Sequence, residues 1–148
     1  MRIALLHDQV PFQARAIDSV AQACAVALTA CGHDGRVVRI PSVEGPSALV
    51  MAASLVVRGA DRVIGLSFPA FLLPAPGAER IIWALEPGPE ESGEAQFRQM
   101  LSVTRLYCSS TAIQERIEAT TGLRAVLLEA PDIADDEGWL AVAAELAS

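Results

Sequence analysis

The sequence predicts an α/β protein with a doubly wound, Rossmann-like, mostly parallel sheet of about six strands in a single domain spanning residues 1–148. The chain alternates short apolar segments with segments of helical period, as βαβ units do. Its first apolar run, Ile3–Leu6, shows no polar alternation, which is typical of strands covered on both faces. Its length fits one domain, and 52% of its residues are hydrophobic, enough for one compact core.

The first half of the chain contains three predicted strands and two helices. Apolar residues recur at three- and four-residue steps along 14–31, which indicates an amphipathic helix, and Gly32 ends it. Residues 36–40 are β-branched, and the turn residues 41–46 then precede a second helix. The predicted elements are strands at about 2–6, 36–40 and 62–66, and helices at 14–31 and 47–58.

The second half continues the same alternation. Two prolines within 67–74 allow at most a short helical turn, and 86–93 is a loop by composition. Ser110 is a plausible N-cap, and Gly122 ends the helix that follows it. The predicted elements are strands at 80–85, 105–108 and 124–128, helices at 94–102 and 111–121, and a closing C-terminal helix at 136–147.

Composition excludes several classes of partner. A net charge of −7 and a pI near 4.7 are opposite to what nucleic acid or an anionic membrane attracts. Three cysteines without a CxxC pair form neither a disulfide framework nor a Cys-based zinc site, which suggests a reducing compartment. His7 and Asp8 interrupt the first apolar run, and no run approaches a membrane span. We therefore expect a cytoplasmic protein without a membrane span.

The candidate site residues follow from the fold class, because doubly wound sheets bind ligands outside the carboxyl ends of their strands. Glu86, after strand 4, is the candidate catalytic residue, since its carboxylate can act as a base or hold a sugar hydroxyl. We expect neither a metal nor a cofactor, because the acidic residues lack the spacing of a metal-binding loop. The candidate ligand-binding residues are His7, Asp8, Arg15, Ser67, Phe68, Ser109 and Ser110.

Each candidate also has a structural interpretation. His7 and Asp8 can be turn residues that bond nearby backbone, and the stem of Arg15 can cover apolar surface. Glu86 can belong to a solvated acidic loop. Cys24 and Cys31 are seven residues apart on the apolar helix face, so core packing is expected for both. We expect Trp83 in the core and Trp139 as an anchor against the sheet or a partner.

Five segments occur in an order that resembles one known family. They are 2–8, 27–33, 64–74 with 81–83 after it, 110–117, and 121–122 with 127–131. Together they resemble the N-terminal, acceptor-side domain of family-four-type glycosyltransferases with the GT-B fold. Members of that family transfer a sugar from a nucleotide in the cleft between two domains. The segment 138–146 is similar to the last helix of the complete enzyme, which crosses back onto the first domain.

The sequence also departs from that family at three points. Arg15-Ala16 stands where the family has a Gly-Gly pair that lets the backbone approach phosphates, and Leu85-Glu86 stands near a family histidine. The 148 residues contain no counterpart of the nucleotide-binding second domain. The resemblance thus implies an acceptor-side half that is inactive alone and takes a sugar-type small molecule and a nucleotide-sugar-binding partner protein. The alternative is a degenerate, non-catalytic relative that binds a ligand or regulates another enzyme.

The carboxyl-end face also carries apolar residues that the family's second domain would cover, and we expect a homodimer that buries Phe12 and 68–73. Phe71→Glu should weaken association more than folding, because an unpaired charge in a desolvated interface costs several kcal/mol. Light scattering on the pure protein at tens of micromolar tests this, and a monomer at that concentration would contradict it. The apolar residues are Val10, Pro11, Phe12, Phe68, Phe71, Leu72 and Leu73.

Overall fold

A computed structural model of the chain describes residues 1–8, 14–40, 57–67, 75, 77–86 and 103–148. Within them, six strands form one sheet in the order β2-β1-β3-β4-β5-β6, and every neighbouring pair is parallel. The α/β, Rossmann-like fold is confirmed. The strands are β1 Arg2–Asp8, β2 Asp34–Ile40, β3 Arg62–Gly65, β4 Glu79–Ala84, β5 Arg105–Cys108 and β6 Val126–Leu127, and the helices are α1 Ala14–Ala30, α2 Thr111–Thr121 and α3 Asp136–Ala147.

The structure differs from the predicted elements in several places, and β2, for example, begins at Asp34 rather than at residue 36. β1 runs on to Asp8, so that His7 and Asp8 lie within the strand rather than after it. β6 has two residues in place of the predicted five, and both are exposed. Val57 and Arg58 lie in a turn before β3, whereas the rest of the helix predicted at 47–58 and the whole helix predicted at 94–102 lie outside the described residues.

One face of the sheet is covered by α1 and α3 around a pair of tryptophans. Trp83 of β4 is fully buried, and its indole Nε1 donates to the carbonyl oxygen of Leu128 at 2.8 Å. The ring of Trp139 meets that of Trp83 edge-on, with 6.5 Å between centroids, and its Nε1 donates to the carbonyl oxygen of Asp132 at 3.0 Å. Both indole N–H groups are therefore satisfied where the rings are buried. Trp139 is the predicted anchor of α3 against the sheet.

The opposite face carries α2, which buries Ile113 and Ile117. Its ends follow from local sequence. The backbone N–H of Ile113 donates to Oγ of Ser110 at 3.3 Å, which is the predicted N-cap. Gly122 at the other end has φ +73°, a left-handed conformation that favours glycine. The sheet is thus covered on both faces within the described residues.

Buried Arg62 fixes the end of α3 at the amino-terminal edge of the sheet. Its guanidinium binds Glu79 of the neighbouring strand, and its Nη1 donates to the carbonyl oxygen of Leu146 at 2.6 Å. Arg105 adds a hydrogen bond of 2.6 Å from Nη2 to the carbonyl oxygen of Ser148. Cations at a helix carboxyl end complement the helix dipole. The last turn of α3 is therefore held at the edge opposite to the carboxyl ends of the strands.

Gly35 of β2 lies against α1 with no room for a side chain. A substitution at this position therefore tests the packing of β2 on α1. A Cβ there would lie 2.9 Å from the carbonyl oxygen of Ala25 and 3.0 Å from Cβ of Leu28. We expect Gly35→Ala to lower the free energy of unfolding by about 1–3 kcal/mol, as overpacked cores do. Urea unfolding measures this. The matched control is Arg36→Ala, whose exposed ion pair with Asp34 contributes about 0–1 kcal/mol; an equal effect of both changes would contradict the account.

Candidate functional site

The register of the sheet places polar residues from five strands along one edge. Arg39 of β2 lies directly beside His7 of β1. The backbone N–H of Leu66 donates to the carbonyl oxygen of Leu6, which places Ser67 next along the edge. The backbone N–H of Leu85 donates to the carbonyl oxygen of Leu66, and that of Ser109 donates to the carbonyl oxygen of Ala84. These bonds align the ends of β4 and β5 with the end of β3. The edge therefore carries, in order, Arg39, His7, Ser67, Glu86 and Ser109.

The order of the strands reverses at β1, since β2 lies on one side of it and β3 on the other. In open α/β sheets, connections leave such a point in opposite directions, and a crevice forms outside the carboxyl ends of the two strands. His7 lies at the end of β1, and Ser67 follows β3. Both side chains are buried, at 1% and 0% exposure. Two of the predicted binding residues thus stand on the two sides of the reversal.

His7 is held by a carboxylate from α1. Its Nε2 lies 3.1 Å from Oδ1 of Asp18. An ionised carboxylate only accepts hydrogen bonds, so Nε2 carries the hydrogen in this contact. The ring orientation is therefore fixed by α1, because Asp18 stands one turn into that helix.

Arg39 binds the same carboxylate with two nitrogens. Its Nε donates to Oδ1 of Asp18 at 2.9 Å and its Nη2 to Oδ2 at 2.6 Å. The hydrogen bond from Arg39 is the main reason that the pKa of Asp18 lies below its usual range; partial burial opposes this, and His7 adds a smaller contribution in the same direction. Asp18 is thus ionised at neutral pH and joins β1, β2 and α1 in one polar cluster.

The remaining predicted residues fall into four groups. Glu86 and Ser109 are half-buried at the edge described above. The hydroxyl of Ser110 is engaged as the cap of α2, and its predicted ligand role stays a prediction. The backbone of Asp8 ends β1 and that of Arg15 lies in the first turn of α1. Phe68, together with the other residues of the predicted dimer surface, lies outside the described residues.

The two buried cysteines do not contribute an activated thiol. Burial raises the pKa of the Cys24 thiol to about 12 and raises that of Cys108. The expectation that Cys31 packs in the core is wrong: α1 ends at Ala30, and Cys31 is exposed in the turn that follows. Among the described residues, no group of three or more His, Cys, Asp or Glu side chains is placed to hold a metal ion.

Asp18 and Arg39 are the site residues that the sequence did not reveal. Asp18 stands beside Ile17 in a helix that was interpreted from its apolar face alone, and Arg39 stands near the end of a strand that was interpreted from its β-branched residues. The alignment of the two strands could have identified both residues. If β1 and β2 are aligned as parallel neighbours, His7 and Arg39 come to the same level, and a carboxylate early in the connecting helix is within reach of both.

The fold and the site together define a Rossmann-like α/β domain with polar residues at a reversal of strand order. The sequence matches no protein-family model, and no curated protein matches it. In the described parts of the chain, no helix is both long and apolar enough to cross a membrane.

The coupling between Arg39 and Asp18 gives a pH test. Removing the guanidinium in Arg39→Gln should raise the pKa of Asp18 toward its ordinary value of 3.8, because the largest cause of its lowering is lost. Carboxyl ¹³C NMR measures that pKa. A lowered pKa stabilises the folded state above the unfolded pKa, and this stability is lost as pH falls through the folded pKa. The stability difference between the two proteins should accordingly shrink as pH falls below about 4. The control, Arg36→Gln, should leave the pKa of Asp18 unchanged; an unchanged value in Arg39→Gln would contradict the assignment.

Proposed function

We propose that this domain binds a hydroxyl-rich, sugar-type ligand at the carboxyl edge of its sheet and serves as the acceptor-side half of a GT-B-type glycosyltransferase. The observation that carries the proposal is the row of polar residues at or just after the ends of five adjacent strands, across the reversal of strand order. The resemblance of five ordered segments to the family's first domain supports the same reading.

The chemistry of the row suits a neutral polyhydroxyl ligand. Sugar hydroxyls both donate and accept hydrogen bonds, and the half-buried part of the row has the carboxylate of Glu86 and the hydroxyl of Ser109. Within the described part of the edge the cation is Arg39, and Asp18 already holds it with two hydrogen bonds. The edge is therefore better matched to a neutral acceptor than to a diphosphate.

Glu86 is the residue proposed to act on the acceptor. It follows β4 at the same edge and is half-buried. As a general base its carboxylate would take the proton of the acceptor hydroxyl while that oxygen bonds to the anomeric carbon and the nucleotide phosphate leaves. Ser109, which is also half-buried, lies beside it along the edge and would hold a neighbouring hydroxyl.

The nucleotide sugar requires a second binding domain, which a partner protein would supply. These 148 residues carry a net charge of −7, which disfavours a nucleoside diphosphate. The side chain of Arg15 also replaces the family's glycine. We therefore expect no sugar transfer by this chain alone, and transfer when the partner domain is added.

A pull-down first identifies the partner that carries the nucleotide-sugar-binding domain. A transfer assay with uridine, guanosine and thymidine diphosphosugars, on the pure protein and on the complex, then tests the proposal. We expect no turnover by the pure protein and clear turnover by the complex. Glu86→Gln should lower the rate about 100-fold or more, the usual contribution of a general base, while acceptor binding measured by calorimetry persists. The matched control is Glu118→Gln, an exposed carboxylate on α2, which should leave the rate unchanged.

The outcomes separate the proposal from the second candidate, a non-catalytic ligand-binding or regulatory domain. That candidate is favoured by the engagement of Arg39 with Asp18, which leaves the described edge without a cation directed at a phosphate. Acceptor binding without transfer by the complex would support it. Robust turnover by the pure protein would contradict the two-part enzyme.

A further inference from the structure

A groove of about 640 Å³ lies between α1 and α3, the two helices that cover one face of the sheet. It exists because α1 presents small side chains toward α3, which leave space between the two helices. Ala23, Ala27 and Ala30 stand in its wall, and Trp139 closes its floor. Its walls are mainly apolar, and it remains open to solvent.

Large apolar side chains around this groove are exposed. Val26 is 69% exposed, Ile133 58% and Leu140 42%, and all three line the same groove. Exposed apolar side chains scattered singly are ordinary, whereas a group that converges on one concave surface marks an interaction site. The wall along α1 runs from Asp18 to Ala30, or roughly 18 Å at the rise of an α-helix.

The charges around the groove are unbalanced. Asp136 lines it, and Asp132, Asp135 and Glu137 stand exposed around the start of α3. At the other end Asp18 is already paired with Arg39 and bonded to His7. No arginine lines the groove among the residues that form it. The α3 end therefore carries an excess of negative charge, of which Asp132 and Asp135 also accept backbone N–H groups. This excess favours a cationic occupant.

From the shape, the exposed apolar residues and the charge we infer that the α1–α3 groove binds an amphipathic basic helix of a partner protein. Such a helix would lay an apolar stripe of about three turns between α1 and α3, with lysine or arginine directed at the start of α3. The inference does not rest on the proposed sugar chemistry. Asp18 is the one residue that belongs both to the lining of the groove and to the polar cluster at the carboxyl edge.

The test uses a designed peptide of about 14 residues, long enough for the three turns, with leucines on one helical face and lysines elsewhere. A matched peptide carries glutamates in place of the lysines. Cys31, the exposed cysteine directly after Ala30, takes an environment-sensitive fluorophore at the end of the groove, whereas Cys24 and Cys108 are buried. Titration of the labelled protein with each peptide gives the affinity at fixed salt.

We expect the lysine peptide to bind 1:1, and the glutamate peptide to bind at least about tenfold more weakly. Val26→Gln and Leu140→Gln should each weaken the lysine peptide about tenfold or more, because they remove apolar contact from the groove. Asp136→Asn should weaken it as well. The controls are Val126→Gln, which changes an apolar residue 58% exposed on β6, and Glu118→Gln on α2; both should leave the affinity unchanged.

Four results would overturn the inference. They are no binding at about 100 μM, equal binding of both peptides, insensitivity to Val26→Gln, and self-association of the protein that Val26→Gln abolishes. The last result would assign the groove to a second copy of the chain. Circular dichroism of each variant establishes that the loss is not unfolding, and Val26 and Leu140 are exposed enough for the fold to tolerate glutamine.

Discussion

The position of β1 between β2 and β3 is the constraint on which the rest of the molecule depends. From β1 the chain adds β2 on one side, and β3 to β6 then extend the sheet on the other. Since parallel crossovers are right-handed, connections that move in opposite directions along the sheet lie on opposite faces. The structure shows this, because α1 joins β1 to β2 on one face and α2 joins β5 to β6 on the other. The end of β1 is consequently left between diverging connections, with a buried histidine there.

Asp18 converts this topological position into a defined site. One carboxylate holds His7 of β1 and Arg39 of β2 while belonging to α1. Three elements thus fix the side chain at the reversal, and the site is preorganised by contacts that need no ligand. The same residue stands at the end of the α1–α3 groove. A partner bound in that groove would contact Asp18, which holds His7, without occupying the carboxyl edge of the sheet.

Short stretches of sequence predicted the elements whose ends depend on a few neighbouring residues. The bounds of β5 and α2 are as predicted, because a serine cap, a left-handed glycine and a short apolar strand are readable within a few residues. The edge position of Ser67, Glu86 and Ser109 was also predictable, since it follows from the fold class. Asp18 and Arg39 were not, because their meeting with His7 depends on strand order and register, which no local pattern encodes. The shortness of β6 likewise reflects pairing with β5 rather than its own composition.

We propose the carboxyl edge around His7 as the binding site for a sugar-type ligand. Amide NMR of the ¹⁵N-labelled protein, titrated with free hexoses, tests it most directly because it requires neither donor nor partner. The account predicts saturable shifts at His7, Ser67, Glu86 and Ser109, with the opposite edge around Arg62 and Glu79 unchanged. Shifts confined to that opposite edge, or none at hexose concentrations of tens of millimolar, which would mean binding weaker than about −2 kcal/mol, would contradict it.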